Sequence, residues 1–354
     1  MKAETLALAV HFGEPVVQRS LRAGTYARAS LPGAVFSEVD LSAVDFRQAD
    51  LREAVFDRCD LSSANFQEAQ LRGATFHRCT GADLRLTGAS LHKANVIECD
   101  WPHARAKGAD LTLATLHKTA LSGADLRETR LDGVNWLDCV LAGASLADAA
   151  LTYGLFSGCD LSQAQLDGAH FHRVVFSVAA LAGRSFVGQN FEQCQFTGCD
   201  LSGTDFTDAS LAGCNFQGAT LADTDFSGAN AAGALFPDAV GAGCRFVRAQ
   251  LTQAVFAGAR LAGADFTGAR LEQAFFGQAH LVGAVFASAS LREADFSLAD
   301  LRGADLRGAT LLRTRLHRAR LEQAQVPAGA PVLGDDPERT EAELWRPAAD
   351  VATF

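Results

Sequence analysis

Residues 39–66 read VDLSAVDFRQADLREAVFDRCDLSSANF, and a large apolar residue falls at every fifth position: Leu41, Phe46, Leu51, Phe56, Leu61, Phe66. Extended outward, the same register runs without insertion or deletion from Leu21 to Val326. Of the 62 central positions, 32 are Leu and 21 are Phe. Two residues before each centre sits a small residue, most often Ala, with Arg19, Leu84, Arg184 and Gln189 as the large or charged exceptions. The residue just before the centre is often Asp or Asn, and Gly is common two residues after it.

A period of five matches neither the 3.6 of a helix nor the 2 of a strand. It matches a chain that turns a corner every five residues. The centre and the small residue two before it then point inward together, as alternate residues of an extended segment do, while Gly, Asp, Asn and Ser serve the corners.

The pattern Ala-(Asp/Asn)-(Leu/Phe)-x-x, as in Ala49-Asp50-Leu51 and Ala264-Asp265-Phe266, resembles that of the pentapeptide-repeat proteins across residues 21–326. The resemblance implies an all-β chain, a right-handed four-sided β-helix with four units per coil. It would have about 15 coils and, at about 4.8 Å per coil, a length on the order of 75 Å. Leu dominates centres ending in 1 and Phe those ending in 6, which places Leu on two opposite walls and Phe on the other two. A coil cannot stand alone, so stability comes from stacking neighbours.

Three segments are expected: an N-terminal cap at 1–20, the repeat at 21–326 and a tail at 327–354. Leu6, Leu8, Val10 and Phe12 alternate and read as a capping strand. Asp336 and Pro337 open a short helix running from Glu338 to Trp345, with an N-cap and Pro at its first position. Leu344 and Trp345 are candidates for a dimer or cap contact.

The nine cysteines all occupy the small inward slot. They read as buried hydrophobes rather than metal ligands or disulfides, and unpaired thiols fit a reducing cytoplasm. Glu4 precedes too short an apolar run for a secretory signal, and no run of apolar residues is long enough to span a membrane. A composition rich in Ala, Arg and Gly suggests a bacterial source with a GC-rich genome.

No catalytic, cofactor or metal motif emerges. Gly-rich stretches are corners rather than phosphate cradles. His170 and His172 flank Phe171 and point outward, with no third ligand in sequence, and His77 and His117 share a column two coils apart. The expectation is a non-enzyme that takes no cofactor and binds through its surface.

Three surfaces stand out. Asp200, Asp205, Asp208, Asp223 and Asp225 lie in a span from Arg184 to Arg245 that contains no other Lys or Arg, and form an acidic belt. Leu235, Val255 and Phe275, 20 residues apart, stack as an outward apolar column where polar residues are usual; Leu155, Val175, Val35 and Val55 lie further along the same wall. Arg302, Arg307, Arg313, Arg315, Arg318 and Arg320 cluster in the last coils, and the acidic tail is expected to fold back on them as a cap.

Irregular units at 81–106 predict a kink or cavity, and Arg184 with Gln189 predict a bulge at 184–190. The leading functional expectation is a protein-interaction scaffold. What the resemblance implies includes an adaptor for a bacterial secretion-system effector, or alternatively a DNA mimic that binds or protects a type II topoisomerase such as DNA gyrase. Direct nucleic-acid binding is not expected, and the sequence leaves monomer and homodimer open.

Overall fold

The computed structural model describes residues 1–345. The chain winds as a four-sided parallel β-solenoid in which residue i pairs with residue i+20, from Ser20↔Asp40 to Asp305↔Gln325. We number the walls by their centres: wall I carries Leu21 and Leu41, wall II Tyr26 and Phe46, wall III Leu31 and Leu51, and wall IV Phe36 and Phe56.

Corner chemistry explains the polar columns of the repeat. At a typical corner the carbonyl of the centre accepts the N–H three residues on, as in Ala64 N–H to Leu61 O at 2.9 Å. The residue two after the centre takes a positive φ, 58° at Ser63 and 69° at Gly73. This is type II turn geometry, which favours Gly at that position. The aspartate before the centre closes the other side of the corner: Asp60 Oδ1 accepts Ser62 N–H at 2.9 Å, an Asx turn.

Wall IV differs over the first half of the rod. There the segments β2 (Val35–Ser37), β3 (Val55–Asp57), β4 (Thr75–His77), β5 (Asn95–Ile97), β6 (Thr115–His117), β7 (Asn135–Leu137), β9 (Leu155–Ser157) and β11 (Val175–Ser177) join β1 (Val16–Val17) in a nine-stranded parallel sheet. A second pair, β8 (Ala150–Thr152) and β10 (His170–His172), lies on wall III. The continuous sheet thus covers fewer turns than the repeat count implies, and isolated bridges carry the same 20-residue step onward.

Where wall IV is a strand, the N–H three residues after the centre makes no turn bond among the described residues, and cysteines fill the slot. Cys59, Cys79 and Cys139 aim their thiols at the carbonyls of Phe36, Phe56 and Leu116 one coil back, at 3.5, 3.2 and 3.3 Å. Thr119 does the same to Val96 O at 3.2 Å. All nine cysteines are buried and free. Burial pushes the thiols of Cys194 and Cys244 up to about 12 and that of Cys199 up to about 11. At these three the thiolate, the reactive form, is therefore suppressed.

Over residues 186–296 two facing columns of phenylalanine on walls II and IV run through the interior between the mostly leucine centres of walls I and III. Phe256 stacks on Phe276 with centroids 4.7 Å apart and planes 3° apart, while Phe256 and Phe266 meet edge-on across the core at 5.7 Å and 89°. Both are favoured aromatic geometries.

The N-terminus is a helix, not the strand read from alternation: α1 spans Ala3–His11. Leu6 is fully buried, with Ala3, Ala7 and Val10 packed beside it, whereas Leu8 and Phe12 are exposed. The spacing 3, 6, 7, 10 is one helical face, and the period-2 reading paired residues that lie on opposite sides. Tyr26 Oη donates to Met1 O at 3.0 Å and fastens the helix start.

No kink forms at 81–106. The ladder is continuous through Thr80↔Asp100, Arg85↔Arg105 and Ser90↔Asp110. A Cβ on Gly81 would lie 2.7 Å from Trp101 Cδ1, so the indole of the next coil occupies the space the glycine leaves. Leu84, in a slot normally held by Ala, is also fully buried.

The 184–190 region is disturbed. Among the described residues no bridge joins Gln165 to Ser185 or His170 to Asn190, although the ladder resumes in the next coil.

Several corner aspartates are held below their ordinary range. The Arg307 guanidinium, by hydrogen bonding, depresses Asp305 from 3.8 to about 2, and the Ser42 hydroxyl lowers Asp40. A carboxylate depressed in the fold contributes stability above its unfolded pKa and loses it as pH falls through the folded value. The melting temperature should therefore fall between about pH 4 and about pH 2. A melting series over that range checks this, and Asp305→Asn should show a shallower fall than wild type.

Candidate protein-contact wall

Wall IV changes character in the second half of the rod. Strands give way to regular corners, and the residue before each centre stands outward. In-register pairing stacks Leu235 on Val255 and Val255 on Phe275. Leu235 and Phe275 are each 38% exposed and Val255 is half-buried. The Phe275 ring lies over Gly277, where a Cβ would meet it. Pro237, Ala257 and Gly277 occupy the positions after the centres, so the stripe itself carries no charge over three coils, with Asp238 at its corner edge. Beyond Phe275 the column turns polar, with Asp295 bonded to Arg315 at 2.7 Å.

The C-terminal helix α2 (Pro337–Leu344) borders this stripe. Asp336 caps it, accepting Arg339 N–H at 3.1 Å. Arg339 Nη1 donates to Ser297 Oγ at 3.2 Å, and Pro237, Ala257, Phe275, Ser297 and Arg339 line a shallow groove of about 250 Å³. His317 is completely covered: its Nδ1 accepts Asp336 N–H at 3.1 Å and its Nε2 faces Glu343 Oε2 at 3.3 Å. Glu343 also pairs with Arg318 at 3.1 Å and Arg339 at 2.9 Å.

The tail therefore folds back, but onto a side wall, and among the described residues only Arg318 of the arginine cluster pairs with its acids. Arg302 and Arg307 are held by Asp300 and Asp305 at 2.8 and 2.7 Å, and Arg315 and Arg320 reach the repeat's own Asp295 and Asp300. Leu344 and Trp345 lie at the far end of α2, 59% and 68% exposed.

The acidic belt resolves into two kinds of carboxylate. Asp200, Asp205 and Asp225 are Asx-turn acceptors for Ser202, Thr207 and Ser227 N–H at 3.0, 2.9 and 2.8 Å, and Asp225 also faces Arg245 at 3.6 Å. Asp208 and Asp223 sit at corners with φ of 56° and 54°, and their carboxylates make no hydrogen bond or ion pair among the described residues. Asp205 and Asp225 stand on wall II, with Asp223 and Asp208 at its two edges.

The histidines are dispersed. His77 Nδ1 meets Asp57 at 2.7 Å, and His170 and His172 sit on β10. Among the described residues no group of three or more His, Cys, Asp or Glu could hold a metal ion. No helix among them is long and apolar enough to cross a membrane.

A family model for pentapeptide repeats matches eight times, at residues 27–56, 40–78, 89–127, 121–153, 244–281, 259–297, 274–308 and 294–326, and a pentapeptide repeat region matches 169–246. The chain belongs to the pentapeptide-repeat family. Among solved structures it is similar to a pentapeptide repeat protein of the cyanobacterium Cyanothece 51142 (20% identity, 36% of this chain and 91% of that one, TM-score 0.24). It is also similar to HetL of Nostoc, involved in heterocyst differentiation regulation (24% identity, 93% and 99%, TM-score 0.14), and to full-length QnrB1, a plasmid-mediated fluoroquinolone resistance protein (16% identity, 60% and 96%, TM-score 0.21). No curated protein matches the chain. These likenesses concern the fold and bring no function with them.

The column Leu235–Val255–Phe275 was legible because a 20-residue spacing becomes stacking in an in-register ladder. Arg339 and Ser297, which border it, gave no signal in the sequence, since only the fold brings residues 42 positions apart together.

Proposed function

We propose that this pentapeptide-repeat protein is a non-enzymatic interaction rod that binds a protein partner along wall IV. The observation that carries this reading is the uncharged stripe Leu235–Val255–Phe275, exposed on a flat wall and bordered by α2. Contiguous apolar surface rimmed by polar groups marks contact sites. The side-chain-filled interior offers a substrate no enclosed chamber, and the nine cysteines are buried. Their unpaired state fits a cytoplasmic location.

The test is affinity capture from lysate of the source cell with wild type and Phe275→Asp. Position 275 is part-exposed, so the variant should keep the wild-type circular dichroism with at most a modest fall in melting temperature. A specific partner should be recovered by wild type and reduced at least about tenfold by the variant, as loss of a central apolar anchor costs roughly 2 kcal/mol or more. Equal recovery would remove wall IV from the interface. The captured protein's identity then distinguishes an adaptor for a secreted effector from other scaffolds.

A second reading rests on the free carboxylates Asp208 and Asp223 flanking Asp205 and Asp225: a negative wall II that mimics DNA toward a type II topoisomerase. Under it the captured protein is a gyrase or topoisomerase subunit, insensitive to Phe275→Asp and lost with Asp208→Asn plus Asp223→Asn. The wall IV reading is favoured because Asp200, Asp205 and Asp225 already serve the corners, whereas no element of the repeat requires an exposed Phe275.

A further inference from the structure

Arg184 and Gln189 occupy two successive inward slots on walls II and III, where the next coil has Thr204 and Ala209. Thr204 and Ala209 are fully buried, and Thr204 Oγ1 donates to Leu181 O at 3.1 Å. Arginine and glutamine are too long for that space and are displaced to half-buried positions. Their side chains reach back one coil: Arg184 Nη1 donates to Ser162 O at 3.2 Å and Gln189 Nε2 to Leu166 O at 3.4 Å.

These contacts replace the backbone ladder only in part. Arg184 Nε and Gln189 Oε1 are buried with no hydrogen-bond partner, and burial lowers the Arg184 pKa. Each unpaired buried polar atom weakens the closed arrangement. The loss is confined to two walls. The pairs Gln165/Ser185 on wall II and His170/Asn190 on wall III are missing, while Asp160↔Ala180↔Asp200 on wall I and Val175↔Gln195 on wall IV remain. Phe176 N–H still donates to Gln195 O at 2.7 Å. A cleft lined by Gly168, His170, His172, Gly188, Gln189 and Asn190 lies on the opened side.

We infer that the rod consists of two stiff arms, residues 21–165 and 190–326, joined by a one-sided hinge at 166–189. Walls I and IV hold as the leaf, and walls II and III open and close. A parallel ladder resists bending because every wall is bonded, so releasing two adjacent walls leaves one soft direction. Bending about this leaf changes the angle between the first arm and the wall II carboxylates that begin one coil beyond it. A partner spanning both arms would select the bend that fits.

Two measurements on the full-length protein test this. In hydrogen exchange followed by mass spectrometry, amides of residues 166–171 and 185–190 should exchange at least about tenfold faster than those of 206–211 and 225–230, local opening being cheaper where the ladder is broken. Arg184→Thr with Gln189→Ala, copying the next coil, should slow them to the level of their neighbours. In the second, nitroxides at Lys107→Cys and Thr207→Cys span the hinge over five coils, about 24 Å at 4.8 Å per coil. Labels at Thr207→Cys and Arg307→Cys span the same number within one arm. The first pair should show the broader distance distribution, and the double substitution should narrow it. Equal widths, or uniform protection through 160–210 in the wild type, would overturn the hinge. Should the double variant not fold, the wild-type comparison of the two labelled pairs still decides.

Discussion

Phe256→Ala should destabilise the protein by about 4–5 kcal/mol, toward the upper end of what a buried aromatic truncation costs. Phe256 is fully buried. It stacks on Phe236 and Phe276 at 4.7 Å and meets Phe246 and Phe266 edge-on at 5.7 Å. A globular core can relax into a cavity, but here the coil spacing is fixed by the ladder. Val255 N–H is bonded to Ala234 O at 3.0 Å and Phe256 N–H to Phe275 O at 2.7 Å, so backbones on both sides are tied. The cavity stays open and four neighbouring rings lose a partner.

Because each coil contacts only its neighbours, the damage also has a place. Weakening a coil near the middle of the regular arm should let the residues beyond it unfold separately. Urea titration is therefore expected to show a lower midpoint and a broadened or split transition. A loss below about 1 kcal/mol would mean the phenylalanine columns are not the main source of cohesion.

The repeat was read almost completely from sequence because each position has one fate: centre inward, small residue inward, the residue before the centre outward. That parity, with the 20-residue coil, was enough to stack Leu235, Val255 and Phe275. The exceptions escaped for separate physical reasons. The α1 segment is short and contains both a period-2 and a period-3.6 pattern, and burial of Leu6 beside Ala3, Ala7 and Val10 selects the second. The tail's acids were matched to the arginines by charge alone, but Arg302 and Arg307 already had closer partners two residues away in Asp300 and Asp305. The cysteines were placed correctly as core, yet nothing in the sequence showed that wall IV abandons its turn bonds there and leaves carbonyls for thiols to meet. Arg184 and Gln189, by contrast, announced their disturbance, since neither side chain fits an alanine slot.

The irregular unit at Gly81 makes no kink because its compensation lies one coil away, in Trp101. By sequence, Gly81→Leu restores the wall I pattern of Leu61 and should stabilise. The structure reverses the sign. Gly81 does not have a positive φ, so the backbone does not require glycine; the space does. With Trp101 Cδ1 2.7 Å from the ideal Cβ position, leucine alone should overpack the coil and cost about 1–3 kcal/mol or more. Trp101→Leu alone should leave the gap beside Gly81 unfilled and end the edge-on contact with Phe76 at 5.1 Å, a loss of roughly 2–4 kcal/mol. Together the two changes give an unbroken leucine column, Leu61 through Leu121, and remove the buried Trp101 Nε1 donor that has no partner. The double variant should return to within about 1 kcal/mol of wild type, a coupling larger than either neighbour-independent effect allows. Urea unfolding of the four proteins measures the cycle. If Gly81→Leu by itself matches or exceeds wild-type stability, the indole is not what fills the glycine's space, and volume exchange between successive coils is not how this rod absorbs an irregular unit.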